Sequence, residues 1–340
     1  MNLVQAVNGV LSKLDVAITR RSTLDRTRRE LANALAAQHV GTPLAEAPVT
    51  TVARDAELAS ILQKLDSARQ QALEVRTELL RHQIAAQWAV IDASDRTCAN
   101  PAIVRTCPLC GHQCASSQYR RYESNCIFGG GSLVRHQCPS CDVVFGPDKM
   151  FRLSAQELTQ EYEWHYKVYE EGDSTDLELR AFHSLQPRRD GVYLNYGAGG
   201  WSRSVQQLRN EGWNVFAYEP HGSAAAPSQW MISNRAQLDG HRFDGLFSNN
   251  VLEHFRDPVE ALREMLRWLR PGATMAHATP CYDYLYEYTR FHLFFFPGRA
   301  RELLAQRAGL SILDFEVDGH FMNCIFSASP LAGNVSERTA

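Results

Sequence analysis

The chain has 340 residues, enough for two or three domains, and 44% of them are hydrophobic, enough for a buried core. A net charge of −3 gives no support to a nucleic-acid partner, and no stretch approaches the roughly 18 apolar residues of a membrane span. The N-terminal stretch lacks a continuous apolar run, so no signal peptide is expected. The nine cysteines are then read as belonging to a reducing, cytoplasmic setting, where paired cysteines more often hold metal than oxidise.

Residues 1–97 read as a helical hairpin. Leu3, Val7, Val10, Leu14, Ala17, Leu24, Leu31 and Leu35 recur at spacings of three and four or their sums, and Pro43 and Pro48 mark a linker over Gly41–Thr51. A second run follows at Leu58, Ile61, Leu65, Ala68, Ala72, Val75 and Leu79, then drifts through Ile84, Trp88 and Ile91. Two arrangements fit this a/d pattern: a hairpin packed on its own chain, and a coiled-coil-like homodimer interface. No catalytic residue and no internal repeat is expected here.

Residues 98–150 change to cysteine, glycine and short β-like runs. Cys107-Pro-Leu-Cys110 and Cys138-Pro-Ser-Cys141 are two knuckles separated by 27 residues. Each tight turn brings two thiolates to one side, and two such turns complete the tetrahedron that zinc prefers. His112, Cys114, Cys126 and His136 lie nearby without paired spacing. With all four positions filled by protein, the metal is expected to be structural. Gly129–Gly131 reads as a ribbon turn, since no helix pattern follows it to bind phosphate.

From residue 151 to 340, helical and strand patterns alternate. Ser154 with Glu157, and Thr175 with Glu178, have capping-box spacing. Leu158, Tyr162, Tyr166 and Tyr169 form an aromatic stripe, read as core packing or as a lid over a site. Val192–Tyr196 and Asn214–Tyr218 read as strands flanking a helix through Val205 and Leu208, and Leu246–Ser248 lies in another strand. Asp257 and Pro258 start a helix carrying Val259, Leu262, Leu266 and Leu269; a strand over Thr274–Thr279 follows. Strands alternating with helices of this length predict an α/β domain, Rossmann-like, with a doubly wound and mostly parallel sheet.

Asn195-Tyr-Gly197-Ala198-Gly199-Gly200-Trp201 joins the first of these strands to its helix, where glycines let the backbone approach a ligand. Glu219, at the end of the next strand, is placed to grip both ribose hydroxyls. These features alone fit a dinucleotide as well as S-adenosylmethionine, although Ser202 stands where the strict dinucleotide pattern has a third glycine. The segment Phe243-Asp-Gly-Leu-Phe-Ser-Asn-Asn-Val-Leu-Glu-His254-Phe-Arg-Asp257-Pro258, with Leu269-Arg-Pro-Gly272 after it, resembles class I S-adenosylmethionine methyltransferases. It is most similar to the branch containing ubiquinone-biosynthesis O-methyltransferases and many sugar methyltransferases. The resemblance covers roughly residues 190 to 315, with Glu-His-x-x-Asp-Pro as its most specific part. It implies that Gly197, Ala198 and Gly199 line the methionine moiety, that Glu219 binds ribose, and that Asn249 and Asn250 face the cofactor. The family usually has an acidic residue where Asn195 stands and glycine where Trp201 stands. Some sugar methyltransferases also carry a cysteine-rich zinc module ahead of this domain.

The sulfonium activates its own methyl group, so the protein mainly aligns acceptor, methyl and sulfur, and a hydroxyl acceptor benefits from a base. His254, Tyr282, Asp283 and His292 are the candidates for the acceptor side. His254 is read as base or as a residue holding the helix start. Tyr282 and Asp283 follow the fifth strand toward the same crevice, and His292 resembles a position near the acceptor pocket of related enzymes. The expected acceptor is a hydroxyl on a sugar or surface glycan. Two other readings stay open: an RNA-modifying enzyme whose ribbon grips nucleic acid through Arg105, Arg120, Arg121 and Arg135, and a non-catalytic assembly protein.

Overall fold

The computed structural model describes residues 50–98, 104–169, 172–199, 202–220 and 229–328. The chain divides into two compact units, residues 1–87 and 88–340. The first expected helix and most of its linker lie outside the described residues. The second is a continuous helix, α1 (Thr50–Cys98), uninterrupted because nothing between the linker and Asn100 is proline or glycine. Leu58, Leu65, Val75 and Leu79 of the predicted a/d positions are exposed, together with Leu62 and Leu73.

Within the second unit, β1 (Val104–Thr106) and β2 (Gln113–Ala115) form an antiparallel hairpin around the first cysteine knuckle. Next come β3 (Arg120–Asn125), β4 (Ser132–Gln137) and β5 (Val144–Phe145), all antiparallel, with the second knuckle between β4 and β5. The turn at Gly129–Gly131 joins β3 to β4. A side chain at Gly130 would collide with Arg290, which explains the residue choice. After the short α2 (Asp148–Phe151), α3 (Ala155–Val168) opens with the expected capping box at Ser154 and Glu157.

Two local expectations on these helices are corrected. The buried face of α3 is Glu161, Trp164, His165 and Val168, while Tyr166 of the predicted stripe is exposed. A carboxylate takes the buried place because Arg290 meets Glu161 at 2.9 Å and the Trp88 indole donates to it. In α4 (Thr175–Ser184) no capping box forms. Asp173 Oδ1 accepts from the Thr175 backbone instead, and Glu178 turns inward.

The large sheet contains β6 (Val192–Tyr196), β7 (Asn214–Tyr218), β8 (Met231–Ile232), β9 (Phe243–Asn249), β10 (Leu269–Ala278), β12 (Leu310–Asp318) and β13 (Phe321–Ala328). Its order is β12-β13-β10-β9-β6-β7-β8, parallel except for β13. β11 (Phe294–Phe295) joins the other sheet, pairing with β5, so the cysteine-bearing strands and the 151–340 region share one sheet and one compact unit. Helix α4 and α5 (Arg203–Asn210) pack on β6, β7, β9 and β10 through Phe182, Val205, Leu208, Tyr193, Val215, Phe247 and Ala276. Later in the chain come the short α6 (Arg235–Leu238), α7 (Pro258–Arg267), capped by Asp257, and α8 (Ala300–Ala308). The class I methyltransferase fold has this strand order. The direction of winding reverses beside β6, and ligands in such sheets bind outside the carboxyl ends of the strands at that point. Among the described residues, no helix is long and apolar enough to cross a membrane.

Candidate active site and cysteine centre

The glycine loop leaves the carboxyl end of β6 beside β7. The backbone amides of Gly197 and Ala198 donate to the Tyr218 carbonyl at 2.8 and 3.1 Å, which pins the loop to the neighbouring strand. Gly197 and Gly199 have φ of +74° and +70°, a region that disfavours side chains. A Cβ at Gly197 would strike Val251, whereas one at Gly199 would meet nothing within 4 Å. Among the described residues, nothing fills the space on that side of Gly199. Glu219 is the residue after β7, and its Oε2 accepts from the Gly199 amide at 3.1 Å. Trp201 lies outside the described residues. Asn249 ends β9, and Asn250 adopts φ +53° with its amide donating to Ala278. Among the described residues, the buried Asn249 Nδ2 and Asn250 Oδ1 have no hydrogen-bond partner, one a donor and the other an acceptor. Asn195, beneath the loop, donates to Glu178 at 2.6 Å.

A second group of side chains sits just past β9. A short 3-10 turn, Leu252–His254, presents Glu253 and His254, and the strap before β11 presents His292. Ligand atoms of Glu253, His254 and His292 lie within 4.8 Å of one another, and the two imidazoles are 4.9 Å apart, edge to face. The Thr279 hydroxyl donates to Glu253 Oε1 at 2.7 Å, and the Leu293 amide donates to the Glu253 carbonyl. Burial pushes the Glu253 carboxyl up to about 7. Burial also holds His254 down to about 4, aided by His165, and His292 well below its usual value. Both imidazoles are therefore neutral near pH 7. The Tyr286 carbonyl can only accept, so His292 Nδ1 carries its proton and Nε2 keeps a lone pair. His254 Nδ1 pairs with the Tyr162 hydroxyl at 3.0 Å.

The structure brings His254 and His292 together but separates Tyr282 and Asp283 from them in character. Tyr282 is buried between Phe296 and Phe315, while Asp283 is exposed and accepts from the Tyr284 amide. Glu253, Tyr162 and Glu178 were not singled out as site residues from sequence. Glu253 lay inside the Glu-His-x-x-Asp-Pro signature, which was its one available signal.

The four paired cysteines converge. Cys107 Sγ is 3.7 Å from Cys141 Sγ, and Cys110 Sγ is 3.6 Å from Cys138 Sγ, with all four sulfurs within 4.8 Å. A tetrahedral zinc site with sulfur at ~2.3 Å has edges of about 3.8 Å. The two knuckles match in detail. Gly111 and Asp142, each following the second cysteine, have φ of +77° and +68°. Asp142 is not glycine, and its carboxylate is anchored by the Arg299 amide and guanidinium at 3.1 and 2.9 Å.

Residues 172–332 match the family described as "Methyltransferase domain". The chain therefore carries a methyltransferase domain of the class I fold, a class that uses S-adenosylmethionine. Two uncharacterized proteins of Mycobacterium tuberculosis, from strains CDC 1551 and H37Rv, are each 33% identical over 113 residues. Those matches cover 28% of this chain and 39% of the relatives' own length. Among solved structures, 1,6-didemethyltoxoflavin-N1-methyltransferase of Burkholderia thailandensis is 15% identical, covering 58% of this chain and 96% of that one, with a TM-score of 0.41. The CcbJ methyltransferase of Streptomyces caelestis is 14% identical, covering 49% and 95%, with a TM-score of 0.38.

Proposed function

We propose that this protein transfers a methyl group from S-adenosylmethionine to a hydroxyl oxygen, and that the acceptor is a sugar or glycan. The observation that carries the cofactor reading is the loop at Gly197–Gly199, open at Gly199, with the Glu219 carboxylate beside it. Asn249 and Asn250 supply an unpaired donor and acceptor at the end of β9. The acceptor reading rests on the neutral imidazoles of His254 and His292. Held by the loop at Gly197–Gly199 and by Glu219, S-adenosylmethionine would supply an activated methyl group, with the bonding pair returning to sulfur on transfer to the acceptor oxygen. The hydroxyl proton passes to His254 Nε2, with Nδ1–H donating to the Tyr162 oxygen. Polar groups at this end suit a polyhydroxylated ligand better than stacking on a bare base.

The four cysteines are assigned to a structural zinc, because their spacing suits a tetrahedral thiolate site and leaves no open position. The exposed leucines of α1 are assigned to self-association. Calorimetry with S-adenosylmethionine and with nicotinamide dinucleotides tests the cofactor reading. Binding of the first and not the second is expected, and the reverse result would overturn it.

A further inference from the structure

We propose that Glu178 and Asn195 form an ammonium-binding subsite under the glycine loop, which takes the α-amino group of the cofactor's methionine moiety. This rests on the S-adenosylmethionine reading above. The carboxylate of Glu178 is 8% exposed and accepts only from neutral donors. These are the Ser174 hydroxyl at 2.6 Å, the Ser204 hydroxyl at 2.5 Å and the Asn195 amide at 2.6 Å. Among the described residues no ion pair to it is formed, and the acid Asp173 is a charged neighbour. Burial pushes the Glu178 carboxyl up despite these donors, so its charged form lacks a counterion here, and a ligand that brought a cation would favour it.

Asn195 gives the second, independent sign. Its Nδ2 is committed to Glu178 and Ser204, which fixes the orientation of the amide. Its Oδ1 is buried and, among the described residues, has no hydrogen-bond partner. A free acceptor oxygen beside an unpaired carboxylate calls for a cation that also donates hydrogen bonds, and a primary ammonium does both. The position is suitable: Asn195 is one residue before the end of β6, and Ser204 lies in the first turn of α5, so the pair bridges the two ends of the loop. The resembled family usually has its acid at the position of Asn195. In this chain the charge comes from α4, and the strand residue turns its amide toward it.

The test compares S-adenosylhomocysteine with its deamino analogue by calorimetry, on wild type, Glu178→Gln and the double variant Glu178→Gln with Asn195→Asp. Wild type is expected to prefer the amino ligand by about tenfold or more, the scale of one charge-assisted hydrogen bond. Glu178→Gln should lose that preference while holding the deamino ligand as before, and restoring an acid at position 195 should bring it back. A purely structural Glu178 would weaken both ligands alike and leave the preference intact, which overturns the proposal. So does a wild type that does not distinguish the two ligands, a result that needs no variant to fold. Wild type that binds neither nucleoside defeats the cofactor reading together with this one, whereas unchanged preference in Glu178→Gln defeats this one alone.

Discussion

Arg135, on strand β4 of the cysteine-bearing sheet, donates from its guanidinium to the backbone carbonyl of His292 at 3.2 Å. The same fully buried side chain donates to the carbonyls of Glu287 and Thr289 at 2.6 Å each. One arginine thus ties down the strap that carries a histidine of the candidate acceptor site. The second knuckle lies between β4 and β5, β4 presents Arg135, and Arg135 holds residues 287–292 ahead of β11 in the same sheet. If His292 serves the acceptor as proposed, this module would act there as a brace.

Replacing Arg135 with Leu should leave those carbonyls buried without a donor, at ~1–3 kcal/mol for each unsatisfied group. Urea unfolding should report a loss of several kcal/mol. Arg135→Lys keeps the charge but reaches fewer carbonyls, so it should fold, raise the acceptor KM and leave cofactor affinity within error. Equal loss of cofactor and acceptor binding in Arg135→Lys would contradict the bracing role.

One equivalent of zinc per chain is expected in purified protein, since Cys107, Cys110, Cys138 and Cys141 form one closed tetrad. Serine at Cys107 or Cys141 should lose metal and soluble protein together, because metal-binding energy in such modules is folding energy. Elemental analysis that finds neither zinc nor iron would end this assignment. Two equivalents would point to metal at Glu253, His254 and His292 as well.

Stability should fall on acidification below about pH 6.5. Burial depresses the imidazoles of His165 and His254 to about 4, His277 to about 3, and His292 well below normal. As pH drops from 6.5 toward those values, the unfolded chain binds protons that the folded chain refuses. Each such histidine then subtracts up to ~1.4 kcal/mol per pH unit. Glu253, raised to about 7, acts oppositely: its protonated form is favoured in the fold, so its contribution is lost as pH rises from 4.5 through 7. Denaturant titrations between pH 4.5 and 7.5 should show the histidine slope dominating. Replacing His277 with an uncharged residue should reduce that slope, and an unchanged slope would count against the buried neutral imidazole.

Much of this architecture was legible because local patterns carried it. Val192–Tyr196 and Asn214–Tyr218 form strands over the predicted spans, since they are short apolar runs bounded by turn signals. The duplicated Cys-Pro-x-Cys knuckles announced themselves by spacing alone. What escaped depends on partners far away in the chain. Glu178 has capping-box spacing, but burial beside Asn195, 17 positions on, overrides it. Glu161 interrupts an apolar face because Arg290, 129 positions away, needs a counterion. The pairing of Phe294 with Phe145 adds a strand from the 151–340 region to the sheet that follows the first knuckle, although the two regions read as separate modules. No periodicity within a window can encode such contacts.

The helix α1 should drive self-association. Leu58, Leu62, Leu65, Leu73, Val75 and Leu79 are each more than 40% exposed, a costly arrangement for a run of large apolar side chains unless something covers them. A second copy of the same helix is the expected cover. Light scattering should give a dimer for the full chain, and Leu65→Arg with Leu79→Arg should shift it to monomer. A wild-type chain that stays monomeric at high concentration would remove this role.

His254→Ala should lower turnover by roughly 10²–10⁴-fold while cofactor affinity stays nearly unchanged, the range expected for loss of a general base. The selectivity follows from position. His254 belongs to the turn after β9 and pairs with Tyr162, whereas Glu219 and Gly199, which meet at 3.1 Å, are the residues proposed for the cofactor side. A sugar hydroxyl is a weak acid, so a neutral imidazole at the acceptor end assists its attack. Tyr162→Phe should have a smaller effect in the same direction, because it removes the oxygen that orients the imidazole but not the base itself. The assay pairs labelled S-adenosylmethionine with a panel of nucleotide sugars, glycans and RNA. Full turnover in His254→Ala would take the imidazole out of the mechanism, and methylation of RNA with no glycan product would replace the sugar assignment with a nucleic-acid one.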